Sequence, residues 1–321
     1  MNFNQIDTKG TSEGFAILKS VEVKQTTKGS DYLDMILADN SGEISAKLWD
    51  YKGESFENFD FVKVRGTFST YNDVSQFKVD RIRLVTEEDD VNIEDYVPSA
   101  CLPGTFMYDE IKSIIMGFEN EELKELTLQL FVPNKDLLIY WPAAKSNHHA
   151  VRGGLLMHTL SVLRLAEKIC EIYGFVNKDL LYTGVILHDI AKLEELKTSS
   201  TGIAGEYTTR GTLLGHLVGG AIMVDRAARE IPGISEETVT LVEHMLISHH
   251  GQPEWGAAKT PMFIEAEILS QLDVLDARMY EMNAAMSETE TGSFSAPQRP
   301  LGGRTIYNHG LAPEEGTTNL I

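Results

Sequence analysis

Residues 184–192 read Gly184-Val185-Ile186-Leu187-His188-Asp189-Ile190-Ala191-Lys192. An apolar run ends in an adjacent imidazole and carboxylate, then resumes. A carboxylate carried into such a dry setting is costly unless it is paired. Metal coordination is one way to pair it, and a buried His–Asp hydrogen bond is the other. The dipeptide by itself favours the hydrogen bond, so the decision lies with its surroundings.

Those surroundings are rich in imidazole. The chain has nine histidines, with none before His148, eight from His148 to His250, and His309 beyond. His158 falls within Leu155, Leu156, Thr159, Val162, Leu163, Ala166 and Ile169, whose three- and four-residue spacing predicts an amphipathic helix. His216 lies on another helical pattern. His249-His250 stands just before Gly251, at an expected helix C-terminus. Asp273 and Asp276 share the apolar helix of Ile268 to Asp276. His244 precedes His249 by five residues, off its face. Further helical patterns begin at Ile111, Ile114 and Ile115 and cover about 179–195, 212–230, 236–248 and 261–284. Helices that each turn a polar residue inward can converge on a metal pair in a bundle core. Imidazole with carboxylate suits divalent transition metals. Together these features move the reading of His188-Asp189 toward a metal centre. Asp276 rivals Asp273 as a ligand and could instead support one from outside.

Before residue 86 the pattern is different. Runs around Phe15 to Lys19, Tyr32 to Leu37, Glu43 to Trp49, Phe61 to Gly66 and Gln76 to Leu84 alternate as strands. Asp39-Asn40-Ser41-Gly42 marks a hairpin turn. The apolar phase slips between Val79 and Ile82, which predicts a bulge. Five short strands in about 75 residues suit a small all-β barrel of the OB type. The organisation expected is therefore a barrel over 1–86, a linker over 87–103, an all-α bundle over 104–286 and an irregular tail over 287–321. Trp49 and Tyr71, among other aromatics, accompany Lys47, Arg65, Lys78 and Arg81, as on surfaces that stack single-stranded bases.

Charge agrees with that division. The 321-residue chain carries a formal net charge of −20, which disfavours general binding to duplex nucleic acid. Residues 1–86 hold 11 Lys and Arg against 13 Asp and Glu, so this part is near neutral and could still bind a polyanion through a local patch. No apolar run of membrane-spanning length is present, and the N-terminus lacks the features of a signal peptide. Cys101 and Cys170 have no metal-type spacing and are expected to be buried thiols in a reducing cytoplasm.

The order His158, His188-Asp189, Asp273 resembles the H…HD…D signature of the HD superfamily. The additional His216 and His249-His250 resemble its two-metal subset. Asn147-His148-His149-Ala150, Gly153 to Thr159, Ser248-His249-His250-Gly251, Glu265 to Leu269, Asp273 to Met279, and the tail segments Gly292 to Ser295 and Arg304 to Tyr307 extend the resemblance. Nearly the whole chain resembles the YhaM family of 3′-5′ exoribonucleases, an OB-fold joined to an HD domain. One departure is Met157, where the family pattern often has Glu; no ligand is lost.

The resemblance implies a metal-dependent phosphodiesterase that shortens single-stranded RNA, with single-stranded DNA as a second candidate substrate, to nucleoside 5′-monophosphates by a two-metal-activated water. One metal would be held by His158, His188, Asp189 and Asp273, the other by His216, His249 and His250, with Asp189 bridging. His-rich ligation favours Mn²⁺, Fe²⁺ or Co²⁺, and the resemblance points to Mn²⁺. Lys192, one turn after Asp189, is the first candidate for a phosphate contact and for a catalytic role beside Asp189. Arg152 is a weaker one, and His148 and His149 line the pocket, cap the following helix or are exposed. A homo-oligomer is expected. Two other readings stay open: a nucleotide or cyclic-dinucleotide phosphohydrolase with a regulatory barrel, and a non-catalytic single-strand-binding protein.

Overall fold

The computed structural model describes residues 10–39, 41–53, 55–71, 74–145 and 149–311; the side chains of residues 70, 71 and 74 lie outside that description. The chain forms two compact units, Met1–Ser99 with Thr198–Gly205, and Ala100–Lys197 with Glu206–Ile321.

In the first unit, β1 (Thr11–Gln25), β2 (Asp31–Asp39), β3 (Gly42–Leu48), β4 (Phe61–Tyr71) and β5 (Val74–Leu84) close a barrel in the order β1-β2-β3-β5-β4. Strand β1 pairs antiparallel with both β2 and β4, and a parallel β3–β5 pairing completes the closure. Alternation supplies the core, because successive side chains point to opposite faces. Leu33, Met35 and Leu37 from β2 meet Ile44 and Ala46, Val62 and Val64, and Phe77 and Val79 inside. The phase slip has a physical origin: Arg65 faces Arg81 while Gly66 faces Val79, so Asp80 is the extra residue of a bulge. Residues 87–99 belong to this unit as well. Arg83 holds the Asp89 carboxylate at 2.6 and 2.7 Å, and Val97 is buried with Ile17 and Phe61.

The second unit is helical: α1 (Gly104–Met116), α2 (Glu121–Phe131), α3 (Lys135–Leu138), α4 (Gly154–Ile172), α5 (Lys178–Leu187), α6 (Lys192–Glu195), α7 (Thr209–Ala228), α8 (Glu236–Ser248) and α9 (Ile264–Ser287). Side-chain caps start several of them. Asn177 accepts from the Leu180 amide, Thr208 from Gly211 and Ser235 from Thr238.

Two expectations change here. The helix expected over about 179–195 breaks after Leu187, where Ile190, Lys192 and Leu193 hydrogen-bond three residues back rather than four. That tighter turn separates Asp189 from the face of α5. After α6, β6 (Leu196–Thr198) and β7 (Ala204–Tyr207) form a two-stranded sheet that helical periodicity did not anticipate. The cysteines also differ from expectation. Cys101 is exposed and Cys170 half-buried, because Cys101 sits in the turn before α1 and Cys170 near the outer end of α4.

After α9 the chain has little regular structure, yet it is packed. Leu301 and Ile306 are buried against Ala285, and Asn308 donates to the carbonyls of Met286 and Thr289. Among the described residues, no helix is long and apolar enough to cross a membrane.

Candidate metal centre

Two helix ends, the break in α7 and two helix faces bring His158, His188, Asp189, His216, His249, His250 and Asp273 together. His158 is fully buried on α4, and His188 follows directly on α5. His216 reaches the centre because α7 is broken at Gly215, whose φ of +69° favours glycine. This break frees the His216 amide to donate to Glu195 Oε1 at 3.1 Å. Helix α8 ends at Ser248 with His249 as its C-cap, and Gly251, at φ +78°, turns the chain away.

Each of these five imidazoles has its Nδ1 beside an acceptor. His188 Nδ1 donates to the Val185 carbonyl at 2.8 Å, His249 Nδ1 to Leu246 at 2.7 Å and His250 Nδ1 to Trp255 at 2.7 Å. His158 Nδ1 lies 2.7 Å from Asp276 Oδ2, and His216 Nδ1 lies 3.0 Å from Glu195 Oε2. A proton fixed on Nδ1 leaves the Nε2 lone pair for coordination. The Nε2 atoms of His158 and His188 face each other at 3.1 Å, which is unfavourable for two lone pairs unless a cation or proton lies between. The Nε2 atoms of His216 and His249 are buried and make no hydrogen bond among the described residues. Buried polar atoms without partners are uncommon, and here they belong to a donor set suited to divalent transition metals. The residues therefore fit a metal.

Asp189 occupies the middle. Its Oδ2 lies 3.3 Å from His188 Nε2, 3.8 Å from His158 Nε2 and 2.6 Å from Lys192 Nζ. Its Oδ1 faces the other way, 3.4 Å from His216 Nε2 and 3.9 Å from His249 Nε2. Asp273 Oδ1 closes the first side, 3.2 Å from His158 Nε2 and 4.0 Å from His188 Nε2.

Electrostatics follow this layout. Burial pushes the Asp189 carboxyl up, but the charges of Lys192 and His188 outweigh it and hold it well below the usual carboxylate range. Burial opposes charge on His158, and the Asp273 and Asp276 carboxylates overcome that, pushing its pKa up to about 10. Burial pushes His249 well down and His250 down, keeping both neutral.

The other expected residues fall as follows. Lys192 is buried and paired with Asp189, and both line an open cavity of about 510 Å³. His149 is fully buried rather than on the cavity wall. Its Nε2 lies 2.8 Å from Asp276, and its φ is +54°, a conformation uncommon for a residue other than glycine. The Arg152 guanidinium lies over the Tyr140 ring at 5.3 Å, also away from that wall. His148 and the Tyr71 side chain lie outside the described residues. Trp49 is half-exposed on the barrel, its ring 4.7 Å from that of Tyr32. His244, left out of the centre, accepts from the Met262 amide.

Glu195 was missed by sequence reasoning. It holds both the amide and Nδ1 of His216, yet no spacing in the Leu193-Glu194-Glu195 run marks it. Asp276 also has a defined place. It takes His158 Nδ1, His149 Nε2 and the Ser161 hydroxyl, on the side of the His158 ring away from Asp273. Removing such a support costs roughly 10- to 100-fold in metal affinity. Asp276→Asn is expected to weaken metal binding by that factor in equilibrium dialysis, with an unchanged circular dichroism spectrum.

Comparison with known proteins extends this picture. The HD domain family matches residues 155–278, and TraI_2, a helicase family by its description, matches residues 105–179. The second stretch contains only His158 of the centre. The chain is 37% identical over 301 residues to the 3′-5′ exoribonuclease YhaM of Listeria welshimeri serovar 6b, covering 93% of this chain and 95% of that protein. It is 36% identical over 296 residues to the 3′-5′ exoribonuclease YhaM of Bacillus subtilis strain 168, covering 91% and 93%. A solved structure of the second OB-fold domain of replication protein A from Methanococcus maripaludis is 17% identical over 27% of this chain and 97% of that one, with a TM-score of 0.21. The barrel assignment accordingly rests on the strand pairing alone.

Proposed function

We propose, from the premise that this chain belongs to the YhaM family of 3′-5′ exoribonucleases, that it hydrolyses the terminal phosphodiester of single-stranded RNA at a centre holding two divalent metal ions. The observation that carries the reading is the division of Asp189. One of its oxygens faces His158, His188 and Lys192, and the other faces His216 and His249. His158, His188, Asp189 and Asp273 would hold one ion, and His216, His249 and His250 the other, with Asp189 shared. When bound, such ions supply Lewis acidity, activating water and offsetting charge on the phosphate. The His-rich donor set favours Mn²⁺, Fe²⁺ or Co²⁺ over Mg²⁺, and Mn²⁺ is the ion we propose.

The chain's own residues do the rest. Asp276 and Glu195 hold His158 and His216 with their Nε2 atoms turned inward. Lys192 neutralises Asp189 and places positive charge on the cavity wall, where a phosphate oxygen can meet it. Attack of water at the last phosphorus breaks its bond to the 3′ oxygen of the penultimate nucleotide. The product is a nucleoside 5′-monophosphate.

The barrel supports the choice of a single strand. The neighbouring rings of Tyr32 and Trp49, tilted by 30° to each other, carry Lys47 Nζ at 5.5 and 5.7 Å from their centroids. Beside Trp49, a cleft of about 800 Å³ is lined by Lys52, Arg65 and Arg81. Base stacking on an aromatic contributes about 1–3 kcal/mol, so Trp49→Ala is expected to weaken single-stranded RNA binding by that amount in a filter-binding titration.

The function itself is tested with Mn²⁺-loaded protein and 5′-labelled RNA, alongside matched DNA, nucleotides and cyclic dinucleotides. Progressive shortening of the RNA with release of 5′-monophosphates, abolished by chelation, is the expected result. Turnover of nucleotides or cyclic dinucleotides with RNA left intact would overturn it.

A further inference from the structure

The wall of the cavity over the metal centre carries two aromatic side chains that the chemistry above does not use. Tyr207 is 51% and Trp255 52% exposed, yet both line the same cavity as Asp189, His216, His250 and Asp273. Neither ring contacts another aromatic ring among the described residues. Both are large, half-exposed aromatic side chains beside a polar centre, and a ligand that covered them would gain hydrophobic free energy. Trp255 is tied to the donors directly, because its carbonyl holds His250 Nδ1 at 2.7 Å. The backbone that carries the ring is thus registered to the centre. Arg278 lines this cavity too. It is exposed and makes no ion pair among the described residues, although the chain as a whole is strongly acidic.

We infer that Tyr207, Trp255 and Arg278 form the subsite for the 3′-terminal nucleotide, the rings stacking its base and the guanidinium meeting its phosphate. The inference rests on the proposed exonuclease reading and adds the group it recognises. Stacking uses the π-face common to all four bases, so the subsite accepts any 3′ end without reading sequence. A guanidinium suits a phosphate because its planar donors can bond two oxygens at once.

The test compares ligands that differ only in the base. Mn²⁺-loaded protein is titrated calorimetrically with adenosine 5′-monophosphate and with ribose 5-phosphate. In parallel it is assayed on RNA ending in an ordinary or an abasic 3′ nucleotide. The intact protein is expected to bind the nucleotide about ten-fold more tightly than the sugar phosphate, and to show a similar ratio in KM between the two RNAs. Tyr207→Ala combined with Trp255→Ala brings both ratios toward one, whereas Trp255→Phe retains them. Arg278→Gln weakens both small ligands together. Intact protein that shortens RNA but binds the two ligands equally overturns the base subsite and leaves the exonuclease reading standing. Intact protein that shortens neither RNA overturns both.

Discussion

Asp189→Asn should lower RNA turnover by about a thousand-fold or more, equivalent to roughly 4 kcal/mol of transition-state stabilisation. Asparagine keeps the shape of the side chain and one acceptor oxygen. It replaces the other oxygen with an amide nitrogen that has no lone pair to offer a cation. Either orientation therefore deprives one half of the centre of its shared donor. The carboxylate is also the partner of buried Lys192, and removing one member of a buried pair leaves the other uncompensated. Some loss of stability in α5 and α6 is expected, so folding and metal content are measured together with rate. The expected result is a folded chain by circular dichroism, fewer metal ions per chain by elemental analysis, and turnover near background. Wild-type turnover in the purified variant, with contaminating nuclease excluded, would end the shared-ligand mechanism.

Phe77→Ala should destabilise the barrel by about 3–5 kcal/mol, the usual cost of emptying a buried phenylalanine site. Phe77 is fully buried, its ring 4.8 Å from that of Phe68. It comes from the strand that closes the barrel against both β3 and β4. A small domain holds only about 5–15 kcal/mol in all, so the barrel loses much of its margin. Hydrogen exchange followed by mass spectrometry reads this locally. Amides of β3 to β5 should exchange much faster, while those of α4 and α5 keep their protection. Long single-stranded RNA should bind more weakly, with metal content unchanged. Unchanged protection in β3 to β5 would show that neighbouring side chains fill the space. Phe77→Leu, closer in volume, should cost less.

Much of this molecule is legible in its sequence. The short run Tyr32 to Leu37, closed by the Asp39 to Gly42 turn, marked a strand, and the slip between Val79 and Ile82 located the Asp80 bulge to within a residue. The helical spacing around His158 and the Gly251 stop after His249-His250 were equally plain. Segments set by short-range competition were harder. The turn at 188–191 and the β6–β7 sheet depend on which hydrogen bonds win locally, and apolar periodicity carries no record of that. Cys101 was misjudged because residue type suggests burial while chain position decides it.

The sequence by itself determined which chemistry this protein could hold: five imidazoles and an adjacent carboxylate, carried to one region by helices with apolar faces. It left Asp273 and Asp276 as rivals, since three residues apart on one helix they occupy neighbouring positions on the same face. Only the tertiary structure separated them, setting Asp273 beside His158 Nε2 and Asp276 beside Nδ1. It also turned Glu195 onto His216 and directed the two oxygens of Asp189 to opposite halves of the centre. The physical reason is that periodicity specifies which face of a helix is buried. The side-chain torsions and helix contacts that aim a particular atom exist only once the helices are packed together.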